Sequence, residues 1–151
     1  MDQTSDPLPA AIQLLCCLGC VLTIASAIAI AWIAIRSQRQ HREAQAAAAW
    51  QGLQAAAQAA PEAHLCHVEQ VYQRARRGSK AVIIWHATGQ RQDTWFWYFL
   101  AEPGSTLLVS GATAYGPHNH NPYVLYVENG GVLASAPPGA EAAWYRLQAT
   151  S

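Results

Sequence analysis

The sequence predicts an α+β protein in which one N-terminal transmembrane helix continues into a helical stalk, followed by a helix packed on a small antiparallel β-meander. Three observations predict this arrangement. An uncharged apolar run comes first, an Ala/Gln-rich segment without proline follows, and the chain after Gly78 breaks into short β-branched and aromatic runs separated by turn residues. The expected parts are a short N-terminal segment (1–13), the transmembrane helix (14–35), the stalk (36–60) and a small α+β domain (62–150).

The composition excludes several classes of protein. The 151 residues carry nine basic and nine acidic side chains, so the formal net charge is zero. Charged residues make up 12% of the chain, compared with about 25% in an average soluble domain, and hydrophobic residues make up 52%. A disordered charged protein and a generally basic nucleic-acid binder are both excluded, so we expect no nucleic-acid partner. Four cysteines are too few for a disulfide scaffold.

The run from Leu14 to Ile35 predicts an integral membrane helix. It contains no charge, and only Gly19, Thr23 and Ser26 interrupt it. As a helix it rises about 33 Å, close to the ~30 Å hydrocarbon core of a bilayer. A domain this small has too little other chain to surround a helix that is apolar on every face. A cleaved signal peptide is the alternative, because residues 25–27 (ASA) resemble a cleavage site, but the acidic start is unlike a signal peptide.

The charges beside the run predict its orientation. Arg36, Arg39 and Arg42 follow it closely, whereas only Asp2 and Asp6 precede it. The positive-inside rule therefore places the N-terminus outside and the C-terminal domain in the cytoplasm. The predicted location is a membrane, and among membranes a bacterial inner membrane.

Two helical patterns predict association with protein partners or with further copies of the chain. In the stalk, Trp50 and Leu53 belong to an apolar seam whose members recur at spacings of three and four residues, as in a short coiled coil. In the membrane helix, small residues repeat at every fourth position, which lets helix backbones approach closely. The members of this small-residue stripe are Gly19, Thr23, Ala27 and Ala31.

The domain after the stalk is predicted to begin with a helix. Pro61 suits a first helical turn, and Leu65, Val68, Tyr72 and Ala75 share one face of a helix over residues 62–77. Five strands should follow, and an Asn-Gly-Gly turn at residues 129–131 should close a hairpin. The expected strands are 81–87, 94–101, 106–114, 123–127 and 132–136, and residues 140–148 form either a last strand or a short helix.

The strand over residues 94–101 has an unusual aromatic pattern. Trp95 and Trp97 fall on one face together with Phe99, while Phe96 and Tyr98 fall on the other face with Leu100. Because both faces are apolar, the strand should be central and covered on both sides. The pattern fits either an aromatic core or a contact surface that includes Trp95 and Trp97.

Residues for catalysis are sparse. His118 and His120 lie two positions apart in an Asn-rich loop and are able to share a metal, but zinc requires three or four protein ligands. His64 and His67 have no motif spacing to this pair, and the chain has no nucleophile-elbow, metalloprotease or phosphate-loop motif. We therefore expect no catalytic, metal or cofactor site. A metal-dependent enzyme that uses His118 and His120 remains an alternative.

Together these patterns favour a single-pass membrane-anchored adaptor or assembly subunit whose small soluble domain mediates protein–protein association. The hydrophobic N-terminal helix, its Ala-rich extension and the C-terminal sheet also resemble the layout of type IV pilins and pseudopilins. That resemblance implies an envelope or secretion-apparatus subunit with its C-terminal domain outside the cytoplasm. It is confined to the layout, since the start is acidic and the apolar segment has no Glu.

Overall fold

The computed structural model describes the backbone of residues 8–110 and 124–149, and the side chains of residues 24–110 and 124–149. It has an α+β architecture, as predicted, with two helices and a curled mixed sheet. In chain order the elements are α1 (Leu8–Ala59), β1 (His64–Ala75), β2 (Gly78–Trp85), β3 (Arg91–Trp97), β4 (Thr106–Val109), β5 (Val124–Val127), β6 (Val132–Ala136) and α2 (Ala140–Ala149).

The chain divides into two compact units, Met1–His41 and Arg42–Ser151. In the first unit, large apolar side chains of α1 are exposed: Ile24, Ile28, Ile30, Trp32, Ile33 and Ile35. Within the part of the chain whose side chains are described, no helix is both long and apolar enough to cross a membrane. Residues 14–23 of the predicted span lie outside that part.

In the second unit, the last turns of α1 pack on the sheet. Trp50 and Leu53 are buried, and they form one cluster with Leu108 of β4, Ala136 of β6 and Ala140 of α2. The apolar seam of the stalk, which was expected to associate with another chain, therefore faces the sheet of its own domain. Alanines on this helix let it approach closely, because their side chains occupy little space between helix and sheet.

The predicted helix over residues 62–77 is wrong, since this segment contains the strand β1. β1 lies in the sheet between β2 and β4 and is antiparallel to both. Its register shifts between Val68 and Gln70 and again between Val71 and Gln73. These irregularities interrupt the two-residue alternation of a regular strand, so the apolar residues take a spacing that imitates a helix face.

The predicted antiparallel meander is also wrong in its topology. The strand order is β5-β3-β2-β1-β4-β6, and β5 runs parallel to β3. A tight turn is present where the Asn-Gly-Gly sequence predicts one, with the amide of Gly131 donating to the carbonyl of Glu128 at 2.9 Å. It forms no hairpin, because the strands that it joins lie at opposite ends of the strand order. So short a connection between the two edges requires the sheet to curl.

The main core lies inside this curl. Phe96 and Ile83 are among its fully buried side chains, and its members are Cys66, Val68, Ala81, Ile83, Phe96, Ala101, Leu107, Val109, Leu125 and Val127. All five predicted strands are present, and the last has its predicted bounds, 132–136; residues 111–114 of the third and residue 123 of the fourth lie outside the described residues. Residues 140–148, which the pattern left undecided, are helical.

Candidate protein-interaction surface

The outer surface of β2, β3 and β5 carries a patch of apolar side chains, which we name the aromatic face. Its members are Val82, Ile84, Trp95, Trp97 and Tyr126, and all are half-buried. The register places Lys80 opposite Trp95 and Trp95 opposite Tyr126, so these side chains share one side of the sheet. The alternating residues on the same strands, such as Ile83 and Phe96, enter the core.

The two tryptophans at the centre of the aromatic face contact each other edge to face. The ring centroids of Trp95 and Trp97 are 5.3 Å apart with an interplanar angle of 69°. The ammonium of Lys80 lies 5.5 Å from the ring centroid of Trp95, within cation–π range. The indole Nε1 of Trp95 is buried and has no hydrogen-bond acceptor among the described residues. These contacts hold both rings in fixed orientations.

Two acidic groups beside the aromatic face have polar partners within the chain. The guanidinium of Arg91 lies 2.6 Å from the carboxylate of Glu69. The hydroxyl of Tyr72 donates a hydrogen bond to the carboxylate of Asp93. Partial desolvation, together with this hydrogen bond and the negative charge of Asp93, holds the pKa of the Tyr72 phenol above its usual range. Beside its apolar members, the face therefore presents one neutral ion pair and one carboxylate that accepts a hydrogen bond from a phenol.

The two helices cover a different part of the sheet. The cluster that α1 and α2 form with the sheet contains side chains of β1, β4 and β6. Within the described residues, that cluster contains no side chain of β2, β3 or β5. The aromatic face thus lies on the half of the outer sheet surface that this helix cluster does not cover.

The structure distributes the predicted interaction residues over several places. Trp95 and Trp97 lie on the aromatic face, whereas Trp50 and Leu53 are buried against the sheet of their own domain. Two members of the small-residue stripe, Ala27 and Ala31, are exposed on α1. The other two members, Gly19 and Thr23, belong to α1 but lie outside the residues whose side chains are described.

Sequence reasoning missed three members of the aromatic face. Val82 and Ile84 alternate with buried residues along β2, and the same alternation places Tyr126 on the outer side of β5. The alternation was visible in the sequence, but which side of each strand faces outward depends on the register with β3. That register brings residues from three strands into one patch.

Outside the aromatic face, the described part of the chain has few side chains that could bind a metal or act as a nucleophile. His118 and His120, on which the alternative of a metal-dependent enzyme rests, lie outside the described residues. Among the residues that are described, no three His, Cys, Asp or Glu side chains are grouped as metal ligands. Cys66 is buried, and burial raises the pKa of its thiol to about 12. The thiolate needed for nucleophilic attack is therefore not formed at neutral pH.

The arrangement on the aromatic face suits binding, because it places aromatic rings in fixed orientations beside charged groups of which neither sign dominates. No protein-family model, curated protein or solved structure matches the chain.

Proposed function

We propose that the chain is a single-pass membrane-anchored assembly subunit that associates with a second copy of itself through the aromatic face. α1 supplies the anchor, and the domain that begins at Arg42 supplies the contact surface. The observation that carries the proposal is the aromatic face, on which two tryptophans, one tyrosine and two aliphatic side chains remain half-exposed beside charged groups of which neither sign dominates.

The uncharged run of α1 and the exposure of its apolar side chains support the role of this helix as the anchor. The uncharged run begins at Leu14 and extends to Ile35. In its second half, six large apolar side chains of α1 are 58–69% exposed. Water solvates such a helix poorly on every side, whereas lipid chains cover it without loss of backbone hydrogen bonds. Arg36, Arg39 and Arg42 follow the run at the positions expected for contact with headgroups.

The choice of a second copy as the occupant of the aromatic face follows from charge. A two-fold contact brings each charged group close to its own counterpart, so a face with one dominant sign repels itself. Here Glu69 is paired with Arg91, and Asp93 accepts a hydrogen bond from Tyr72. Lys80 is the remaining cation, and it lies over the ring of Trp95. Once Glu69 and Arg91 are paired, the face retains one anion, Asp93, and one cation, Lys80, so neither sign dominates when two such faces meet.

The proposal is tested by the mass of the full chain, measured in a mild detergent by light scattering after size exclusion. We expect a dimer for the unaltered chain. Ile84→Lys places a charge on the face and should weaken the dimer at least tenfold, because that charge must be desolvated in the contact. The matched control is Leu133→Lys, since Leu133 is an exposed leucine on β6, at the other end of the strand order.

The two variants make the outcome decisive. A dimer that dissociates with Ile84→Lys and persists with Leu133→Lys supports the aromatic face as the contact. A monomeric unaltered chain overturns the proposal, as does a dimer that survives Ile84→Lys. The anchor is tested separately by extraction with alkaline carbonate, which leaves a membrane-spanning chain in the pellet and releases a peripheral one.

A pilin-like envelope subunit is the second candidate, and one observation favours it. α1 is a single helix of 52 residues whose last turns pack on the sheet of the domain, as in the layout that the sequence resembles. The two candidates differ in topology. A reporter that is active only in the cytoplasm, fused after Ser151, should give a signal for the inward-facing subunit. Activity only from an externally active reporter would instead support the pilin-like subunit.

A further inference from the structure

The end of the β1–β2 hairpin forms a second surface, which we name the basic tip. Ala75 pairs with Gly78, so Arg76 and Arg77 form the turn between the strands, and both side chains are exposed. The segment that follows β3 crosses this end of the hairpin, because the amide of Tyr98 donates to the carbonyl of Arg77 at 2.8 Å. The guanidinium of Arg74 reaches the carbonyl of Ala101 at 3.4 Å.

Hydrogen bonds and packing hold the crossing segment in a fixed conformation. The hydroxyl of Ser79 donates to the carbonyl of Phe99 and accepts from the amide of Ala101, both at 3.0 Å. The ring of Phe99 packs toward the core beside Phe96, with centroids 5.9 Å apart. Its two neighbours project outward, since Tyr98 is 63% exposed and Leu100 is 56% exposed.

The backbone at Tyr98 is also unusual. Its φ of 56° is the one positive value found at a non-glycine residue in the described part of the chain. L-residues rarely adopt this left-handed conformation, and a bulky side chain such as tyrosine does so least readily. The surrounding contacts hold Tyr98 in this conformation with its ring exposed, and burial of the ring in the core does not account for that arrangement.

The charge of the basic tip has one sign. Arg74, Arg76, Arg77 and Lys80 fall within seven residues, and no acidic residue occurs between Glu69 and Asp93. In the part of the chain that the structure describes, none of the three arginines forms an ion pair with a carboxylate. The basic tip therefore joins uncompensated positive charge to exposed aromatic and aliphatic side chains.

We infer that the basic tip docks on an anionic lipid surface. Arginines attract phosphate headgroups, and aromatic rings occupy the boundary between headgroups and acyl chains. Tyr98 and Leu100 would enter that boundary while Arg76 and Arg77 remain among the headgroups. The inference rests on the proposed anchor, which keeps the domain close to a bilayer and raises the local concentration of lipid.

The experiment reports the surroundings of Leu100 in the full chain. In a chain whose native cysteines are replaced by alanine, Leu100→Cys is labelled with the environment-sensitive dye NBD and reconstituted into vesicles. One set contains phosphatidylcholine, and the other contains phosphatidylcholine with 30% phosphatidylglycerol. We expect a blue-shifted emission, quenched by brominated lipid, in the anionic vesicles only. Leu133→Cys, labelled in the same way, is the matched control and should show neither change.

The role of charge is tested with Arg76→Gln and Arg77→Gln in the same labelled chain. Both substitutions keep a long polar side chain on an exposed turn, so the fold should be retained. Each arginine removed should weaken docking by about fivefold, so the pair should weaken it by roughly 30-fold. Higher salt should also reduce the blue shift, because it screens the attraction between the arginines and the headgroups.

The outcomes separate this inference from the proposed anchor. The same vesicles are extracted with alkaline carbonate, which reports anchoring without reference to the basic tip. A chain that resists extraction but gives equal emission in both vesicle types retains its anchor and overturns tip docking, leaving an acidic protein surface as the partner of the tip. A chain that is extracted overturns the anchor, whatever the emission of the dye.

Discussion

Replacement of Gly78 by alanine should destabilise the domain severely. Gly78 begins β2 with a φ of 139°, a value that L-residues rarely adopt. A Cβ atom there would lie 1.8 Å from the carbonyl oxygen of Phe96 and 3.2 Å from the amide nitrogen of Tyr98. Both neighbours are backbone atoms, so a side-chain rotation does not relieve the overlap. The strands β2 and β3 must separate at the pair of Gly78 and Trp97.

The expected loss of unfolding free energy is the sum of two costs. The backbone conformation costs about 1–3 kcal/mol for a residue with a Cβ. Separation of the strands removes at least one ladder hydrogen bond, worth about 1 kcal/mol. We therefore expect Gly78→Ala to lower the free energy of unfolding by about 2–4 kcal/mol, a large part of the 5–15 kcal/mol typical of a domain.

Gly89 provides the matched control. It also has a positive φ, of 68°, but no atom lies within 4 Å of the position that its Cβ would occupy. Gly89→Ala should therefore cost only the left-handed conformation, about 1 kcal/mol. The assay is urea unfolding of the full chain in a mild detergent, followed by tryptophan fluorescence. With an m-value of about 2 kcal/mol/M, the midpoint should fall by about 1–2 M for Gly78→Ala and about 0.5 M for Gly89→Ala. Equal shifts for the two variants would refute the steric argument.

Two predictions follow from the titrating groups. The unfolded Cys66 thiol ionises near pH 8.5 while the folded one stays protonated to about pH 12, so folding stability should fall as pH rises between these values. The Cys66→Ala variant should lose less stability than the unaltered chain between pH 8 and 11 in chemical denaturation. Asp93→Asn should lower the pKa of Tyr72 toward 10 in an NMR titration of ¹³C-labelled tyrosine, with the resonance assigned by Tyr72→Phe. An unchanged Tyr72 titration would mean that Asp93 does not raise this pKa.

Local patterns in the sequence predicted much of the secondary structure and little of the topology. β3 was expected because aromatic residues are dense there, and it ends at Trp97 because the next residue has a left-handed conformation. The parallel pairing of β5 with β3 was not predicted, because pairing between distant strands leaves no local spacing in the sequence. β1 was mistaken for a helix because its register irregularities break the regular alternation.

The candidate surface was predictable in part for the same reason. Trp95 and Trp97 were identified from the aromatic pattern of one strand. The pattern of that strand did not indicate that Tyr126 lies beside Trp95, because their contact is created by the pairing of β5 with β3. Arg77 was expected at the end of the helix over residues 62–77, and only the hairpin places it beside Tyr98. Surfaces assembled from several strands depend on register, which the hydrophobic pattern specifies only after the strand partners are known.

The short connection between β5 and β6 has a consequence for aggregation. The two outermost strands of the sheet are among its shortest, with four and five residues, and the turn after Val127 joins one directly to the other. Exposed strand edges are templates on which other chains add strands and begin fibril growth. Here each edge offers few backbone groups, and the four-residue turn keeps the two edges close together. An insertion of flexible residues at Gly130 would loosen this restraint, and we expect it to shorten the lag time of aggregation on heating.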